Sequence, residues 1–209
     1  MRQIFLDCDG VLADFDTAAR DLFGQDSREA EEILGTDEFW NRIVACGDFY
    51  RKLPLLPDAK RLYRAVAHHK PIILTGCPKG GWSEPQKIEW AAEHFPKVRM
   101  ITCMSKDKYL QMQNPGDVLV DDYLRYRDLW EKAGGIFVHH RSADKSIEAL
   151  EALGFTVRVR TPMMRIMDKL RKQIREDPDF DKIHYILADD PRLAVMAKVL
   201  EKSARRKLN

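Results

Sequence analysis

The chain has 209 residues, with 35 Lys or Arg against 33 Asp or Glu, a formal net charge of +2 and 44% hydrophobic residues. That length can bury roughly two-thirds or more of its unfolded surface, so a core with appendages needs no staples. The four cysteines, Cys8, Cys46, Cys77 and Cys103, lack the paired spacing of a zinc site or a disulfide framework. The balanced charge names no polyanionic partner, no apolar run approaches membrane-spanning length, and Met1-Arg2-Gln3 enters the first apolar run without a targeting segment. The expectation is a cytoplasmic protein with reduced thiols.

The first apolar run, Ile4-Phe5-Leu6, ends in Asp7-Cys8-Asp9-Gly10. Side chains alternate along a strand, so Asp7 and Asp9 share a side, where their repulsion calls for a cation or a shared proton. Magnesium suits such a pair, because it takes a few carboxylate oxygens and completes its shell with water and phosphate. The plain alternative is a turn with two solvated aspartates.

Asp16 is placed to cap a helix through Thr17–Phe23 that stops at Gly24. Ser27 starts a second helix, which ends at Gly35, and Thr36 or Asp37 caps a third carrying Phe39, Trp40, Ile43 and Val44. Residues 15–54 therefore read as a small helical insertion. Pro57-Asp58-Ala59 opens a helix through Leu62, Ala65 and Val66 that returns the chain to a second strand, Pro71–Gly76, with Thr75 and Gly76 at its carboxyl end. Val98–Cys103 is a third strand, followed by Lys106 and Lys108, and Asp117–Asp122 is a fourth, closed by Asp121 and Asp122. Gly134–Val138 gives a fifth strand and Phe155–Val159 a sixth at an edge. Strands alternating with helices predict a doubly wound parallel sheet of the Rossmann-like α/β class. In such sheets, ligands bind outside the carboxyl ends of the strands, where these groups converge.

From Arg160 to Asn209, 13 Lys or Arg stand against 8 Asp or Glu, while the preceding residues carry 22 against 25. Met163, Ile166, Met167, Leu170 and Ile174 recur at helical spacing in this basic extension. Packing on the core or on a second copy in a homodimer is preferred for 160–209 over nucleic-acid binding.

In order, Asp7/Asp9, Thr75, Lys108 and Asp121/Asp122 resemble the four motifs of the haloacid dehalogenase superfamily. Phe15, Phe39-Trp40, Leu53-Pro54-Leu55-Leu56-Pro57, Lys87-Ile88-Glu89-Trp90, Glu93-His94 and Asp107-Lys108 extend the resemblance to its 5′(3′)-deoxyribonucleotidases, over residues 1 to about 155. Two positions depart from that pattern: Gly76 stands where a serine is typical, and Tyr123 where a basic residue is common.

The resemblance implies a phosphatase core of 1–14 and 55–159, a helical cap of 15–54 and the 160–209 extension. It implies Asp7 as nucleophile, forming an aspartyl-phosphate, and Asp9 as general acid and base. Magnesium falls to Asp7, the Asp9 carbonyl and the acids Asp121 and Asp122, with Asp122 favoured as direct ligand. Thr75, Gly76 and Lys108 receive the phosphate, Lys108 being preferred to Lys106. Phe15, Phe39 and Trp40 surround a nucleobase or pack the cap. The substrate implied is a nucleoside monophosphate, deoxynucleotides first. Alternatives are another small phosphoester such as a sugar phosphate, or a non-enzymatic regulator that binds nucleic acid or protein through its tail.

Residues outside these motifs receive plainer readings. His139-His140 reads as structural or exposed rather than as a ligand set, and Cys8 is a buried thiol facing away from the aspartates. Lys79-Gly80-Gly81-Trp82 forms a rim that could touch substrate through Lys79 and Trp82.

Overall fold

The computed structural model describes residues 2–158. The basic helix, the homodimer and the nucleic-acid contact expected of 160–209 lie outside the described residues.

Five parallel strands form one sheet: β1 (Ile4–Leu6), β2 (Ile72–Gly76), β3 (Met100–Cys103), β4 (Val118–Asp121) and β5 (Ile136–His139), in the order β3-β2-β1-β4-β5. β1 is central, and the strand order reverses between β1 and β4. Phe5 lies opposite Leu119 and Leu6 opposite Val120, and the Asp7 N–H donates to the Val120 carbonyl at 2.9 Å. A crevice at such a reversal is where open α/β sheets take their ligands. The predicted α/β fold is therefore the observed one.

Both sheet faces are covered, so the inner strands read as continuous apolar runs. Ile4, Leu6 and Cys8 join Ile73, Val118 and Val120 in the larger core, while Phe5, Ile72, Leu74, Leu119 and Trp130 form a second cluster.

Between β1 and β2 lie α1 (Phe15–Phe23), α2 (Ser27–Leu34), α3 (Thr36–Ala45) and α4 (Ala59–Val66). The cap of α1 is Asp14 rather than Asp16, because Asp14 Oδ1 accepts the Thr17 N–H at 3.0 Å. Asp16 instead accepts the Ser27 hydroxyl at 2.9 Å and joins α1 to α2. Gly24 ends α1 in the left-handed region, as its position in the sequence predicts. Neither Thr36 nor Asp37 caps α3; Gly35 takes that place with no side-chain bond.

The segments entering and leaving this helical insertion run side by side. Asp14 N–H donates to the Pro54 carbonyl at 2.8 Å, and Leu56 N–H to the Leu12 carbonyl at 2.9 Å. The helix α5 (Ser83–His94), which follows β2, holds the same segment from below. Trp90 Nε1 donates to the Leu53 carbonyl at 2.7 Å, and Gln86 accepts the Tyr50 N–H at 3.0 Å.

The remaining described helices are α6 (Arg127–Lys132) and α7 (Ala143–Ala152). Asp58 accepts the Ala143 N–H at 2.6 Å and so ties the start of α4 to the start of α7.

The expected sixth strand is not formed over 155–158, and Val159 lies outside the described residues. Phe155 is buried beneath the Arg2 guanidinium, and the Arg158 N–H donates to Ala65 at the end of α4. Its alternating pattern serves packing on α4, so no strand extends the sheet there.

Candidate active site

Asp7 follows the last residue of β1, and Asp121 ends β4, two adjacent parallel strands. Register therefore brings two acids of distant sequence together. Lys108, from the 3-10 segment Ser105–Gln111, bridges them, with Nζ 2.9 Å from Asp7 Oδ1 and 2.7 Å from Asp121 Oδ2. All three side chains are buried. Burial alone would favour the neutral amine, yet the Asp7 and Asp121 carboxylates hold the Lys108 ammonium above the ordinary lysine range. Lys106, the competing lysine, is exposed.

One lysine does not balance the charge. Asp7, Asp121 and Asp122 each offer a carboxylate oxygen, and these atoms lie within 4.8 Å of one another. Burial, then repulsion from Asp121, pushes the Asp7 carboxyl up to about 6 against the pull of Lys108. Burial, followed by Asp7 and Asp121, pushes Asp122 up to about 7. Uncompensated negative charge raises carboxyl proton affinity, and a divalent cation would remove that excess.

Asp122 rests against Gly10. A Cβ at position 10 would lie 2.3 Å from the Asp122 carboxyl carbon, and Gly10 has φ of +74°, so only glycine fits the turn after Asp9.

Asp9 has a different partner. Lys87, on α5, donates to Asp9 Oδ2, to Thr75 Oγ1 at 3.0 Å and to the Gly76 carbonyl at 2.7 Å. It lies 4.3 Å from the centre of the Tyr50 ring and is 1% exposed. Burial works against its charge, but Asp9 more than offsets this and raises the Lys87 pKa. Asp9 Oδ1 is buried with no hydrogen-bond partner among the described residues. Burial raises the Asp9 pKa and Lys87 opposes it.

Lys87 entered the sequence reading as part of a matched segment, without a role. The buried face of α5 is Ser83, Gln86, Lys87, Trp90 and Ala91, of which only Trp90 and Ala91 are apolar, so hydrophobic periodicity does not mark Lys87. A lysine on such a face, among its i, i+3, i+4 neighbours, has to meet a buried acid.

The aromatic residues lie in two groups. Phe15 contacts Phe49 and Tyr50, with ring centres 5.5 and 6.1 Å away, and Tyr50 connects it to Lys87 and Asp9. Phe39 is 2% exposed and stacks on Phe23 at 4.8 Å, with half-buried Trp40 edge-on to it at 5.1 Å. Trp82 leans on Tyr50 at 5.5 Å and donates to the Lys79 carbonyl at 3.1 Å, while Lys79 itself is exposed. Buried His140 pairs with Ser146 at 2.8 Å.

The site thus holds a buried carboxylate beside a fixed ammonium, three clustered acids and a second carboxylate able to keep a proton. A small cleft adjoins it, lined among others by Asp7, Ser105, Lys108, Asp121, Tyr123 and Tyr126. Such a set can bind and attack an anionic phosphoryl group.

Comparison with known proteins points to the same chemistry. A family model described as 5′ nucleotidase, deoxy (pyrimidine), cytosolic type C protein matches residues 1–139. No curated protein matches the chain. Because the family match runs from ahead of β1 to the last residue of β5 and takes in every acid and lysine described above, the chain belongs to the 5′ nucleotidase, deoxy (pyrimidine), cytosolic type C family and is a phosphatase of the 5′-nucleotidase kind.

Proposed function

We propose that the chain hydrolyses deoxynucleoside monophosphates with magnesium, through an aspartyl-phosphate on Asp7. The observation that carries this reading is the set of three acids, Asp7, Asp121 and Asp122, whose oxygens lie within 4.8 Å of one another while a single lysine bridges two of them.

The donor set fits magnesium, being all carboxylate oxygen, few in number and next to an open cleft. Asp121 is spent on protein contacts, since Oδ1 accepts the Tyr123 N–H at 2.8 Å and Oδ2 accepts Lys108. The Asp122 side chain makes no hydrogen bond to another residue among the described residues. This supports Asp122 as the direct ligand, together with Asp7 and the Asp9 carbonyl, and Asp121 as the residue that orients Lys108. When bound, the ion supplies positive charge to the phosphoryl oxygens and to the acids.

The chain's own residues would perform the remaining steps. Asp7 attacks phosphorus, its carboxylate held by Lys108 and by the Cys8 N–H at 2.8 Å. Asp9 gives a proton to the leaving alkoxide and takes one from the attacking water, a role that its raised proton affinity and free Oδ1 support. Lys87 keeps Asp9 in place and donates to the Thr75 hydroxyl oxygen, whose own hydrogen is directed at the Gly76 carbonyl at 3.4 Å and turns to a phosphoryl oxygen when substrate binds. Lys108 and the backbone after Thr75 complete the anion site.

Residues 15–54 act as a cap in this reading. Phe15 reaches the site through Tyr50, Trp40 offers its half-exposed ring to a base, and buried Phe39 holds Trp40 edge-on. No described helix is long and apolar enough to cross a membrane, and the four cysteines are free thiols. A cytoplasmic setting is proposed on these grounds.

The test is phosphate release from nucleoside monophosphates, sugar phosphates and p-nitrophenyl phosphate, with and without magnesium. Magnesium-dependent release led by deoxynucleotides upholds the reading. Release confined to other phosphoesters removes the nucleotide assignment, and magnesium-independent release removes the metal.

A further inference from the structure

Gly76 leaves a place that another residue fills. A Cβ built on Gly76 would lie 1.9 Å from Ser105 Oγ and 3.0 Å from Ser105 Cβ, so the Ser105 hydroxyl stands where a side chain of residue 76 would begin. Alternation along β2 puts position 76 on the face of Ile72 and Leu74, which pack with Phe5. Asp7 follows Phe5 by two residues, so a group at this place shares the Asp7 side of the sheet. Ser105 lines the same cleft as Asp7, Lys108 and Asp121.

The local chain holds Ser105 there. β2 and β3 pair to their ends, with Gly76 opposite Cys103, and the Cys77 N–H donates to the Cys103 carbonyl at 2.7 Å. Ser105 then opens the 3-10 segment that carries Lys108. Its hydroxyl makes no hydrogen bond with protein among the described residues, although it is half-buried and lines the cleft of Asp7 and Lys108.

We infer that Ser105 is a phosphate-binding residue of this enzyme, its hydroxyl reaching from the 3-10 segment after β3 into the position that Gly76 leaves open beside Thr75. The assignment rests on the phosphatase site proposed above, and its ligand is the phosphoryl group of the substrate. The hydroxyl donates to a phosphoryl oxygen on the side away from Lys87. Glycine at 76 is then a requirement of the arrangement, because any larger residue displaces Ser105.

The experiment uses the full chain with Ser105→Ala, Ser105→Gly, the double variant Gly76→Ser/Ser105→Gly and Asp7→Asn. Affinity for inorganic phosphate with magnesium is measured by calorimetry, and kcat/KM is measured on p-nitrophenyl phosphate. Loss of one donor to a charged oxygen predicts about 10- to 100-fold weaker phosphate binding and lower kcat/KM in both single Ser105 variants. The double variant recovers most of that loss, because its hydroxyl returns from residue 76.

Wild-type affinity and turnover in both single Ser105 variants would overturn the assignment and leave Ser105 as packing against Gly76. Weaker phosphate binding in those variants, in a chain that hydrolyses no phosphoester, upholds Ser105 and overturns the hydrolase reading. Turnover that Asp7→Asn abolishes, with unchanged Ser105 variants, does the reverse. A wild-type chain that neither binds phosphate nor hydrolyses a phosphoester overturns both.

Discussion

Replacing Lys87 by methionine removes a buried ammonium and leaves its partner carboxylate behind. The Lys87 side chain is 1% exposed and that of Asp9 25%, and Asp9 Oδ1 already lacks a partner. Breaking a buried pair on one side costs about 3–5 kcal/mol. The partial exposure of Asp9 places this case at the lower end, so about 3 kcal/mol is expected, with Thr75 Oγ1 and the Gly76 carbonyl also losing a donor. In a domain of this size the melting temperature should fall by about 6–12 °C. Urea denaturation of Lys87→Met, Asp9→Asn and the double variant forms the assay. The double variant lacks both charges and should be more stable than the sum of the single losses by about 2 kcal/mol. A Lys87→Met loss below about 1 kcal/mol, or strict additivity, would refute the buried pair as described.

Two further outcomes follow from single positions. Gly10→Ala should cost about 1–2 kcal/mol for its left-handed backbone. By pushing Asp122 aside, it should also raise the magnesium concentration for half-maximal activity; an unchanged magnesium titration contradicts the placement of Asp122. His140 is held neutral mainly by burial, with Asp58 opposing that shift and His139 adding to it. The folded pKa lies below the unfolded one, so the unfolded chain takes the proton first and stability falls as pH drops below about 6.5. His140→Gln should flatten that part of the stability curve, and an equally steep curve would count against the assignment.

How much of this was legible depends on whether a property is local. Asp7, Thr75 and the acids at Asp121 and Asp122 each end or follow an apolar run, and a parallel sheet brings strand ends together, so their convergence could be read before any coordinates. Lys108 is preferred to Lys106 only through the resemblance of Asp107-Lys108 to the nucleotidase step, since both lysines follow β3 closely. Lys87 was not assigned a role, because its burial is a tertiary property of α5 and hydrophobic periodicity passes over a face that contains Ser83, Gln86 and Lys87. Ser105 was missed for a related reason: its significance lies in the space left by a residue of a neighbouring strand. The pattern of Phe155–Val159 resembled a strand because alternation reports one buried side, and packing on α4 supplies such a side without a partner strand. Asp14 outcompeted Asp16 as a cap because its two oxygens reach both the Thr17 N–H and the Thr17 hydroxyl.

The central claim is that phosphorus is transferred to Asp7 before it reaches water. The most direct measurement is to quench turnover of a radiolabelled deoxynucleoside monophosphate in acid and map the label on the chain. A phosphoryl group is expected on the peptide that contains Asp7, dependent on magnesium and absent from Asp7→Asn. Sustained magnesium-dependent turnover by Asp7→Asn, with no label on the wild-type chain, would contradict it.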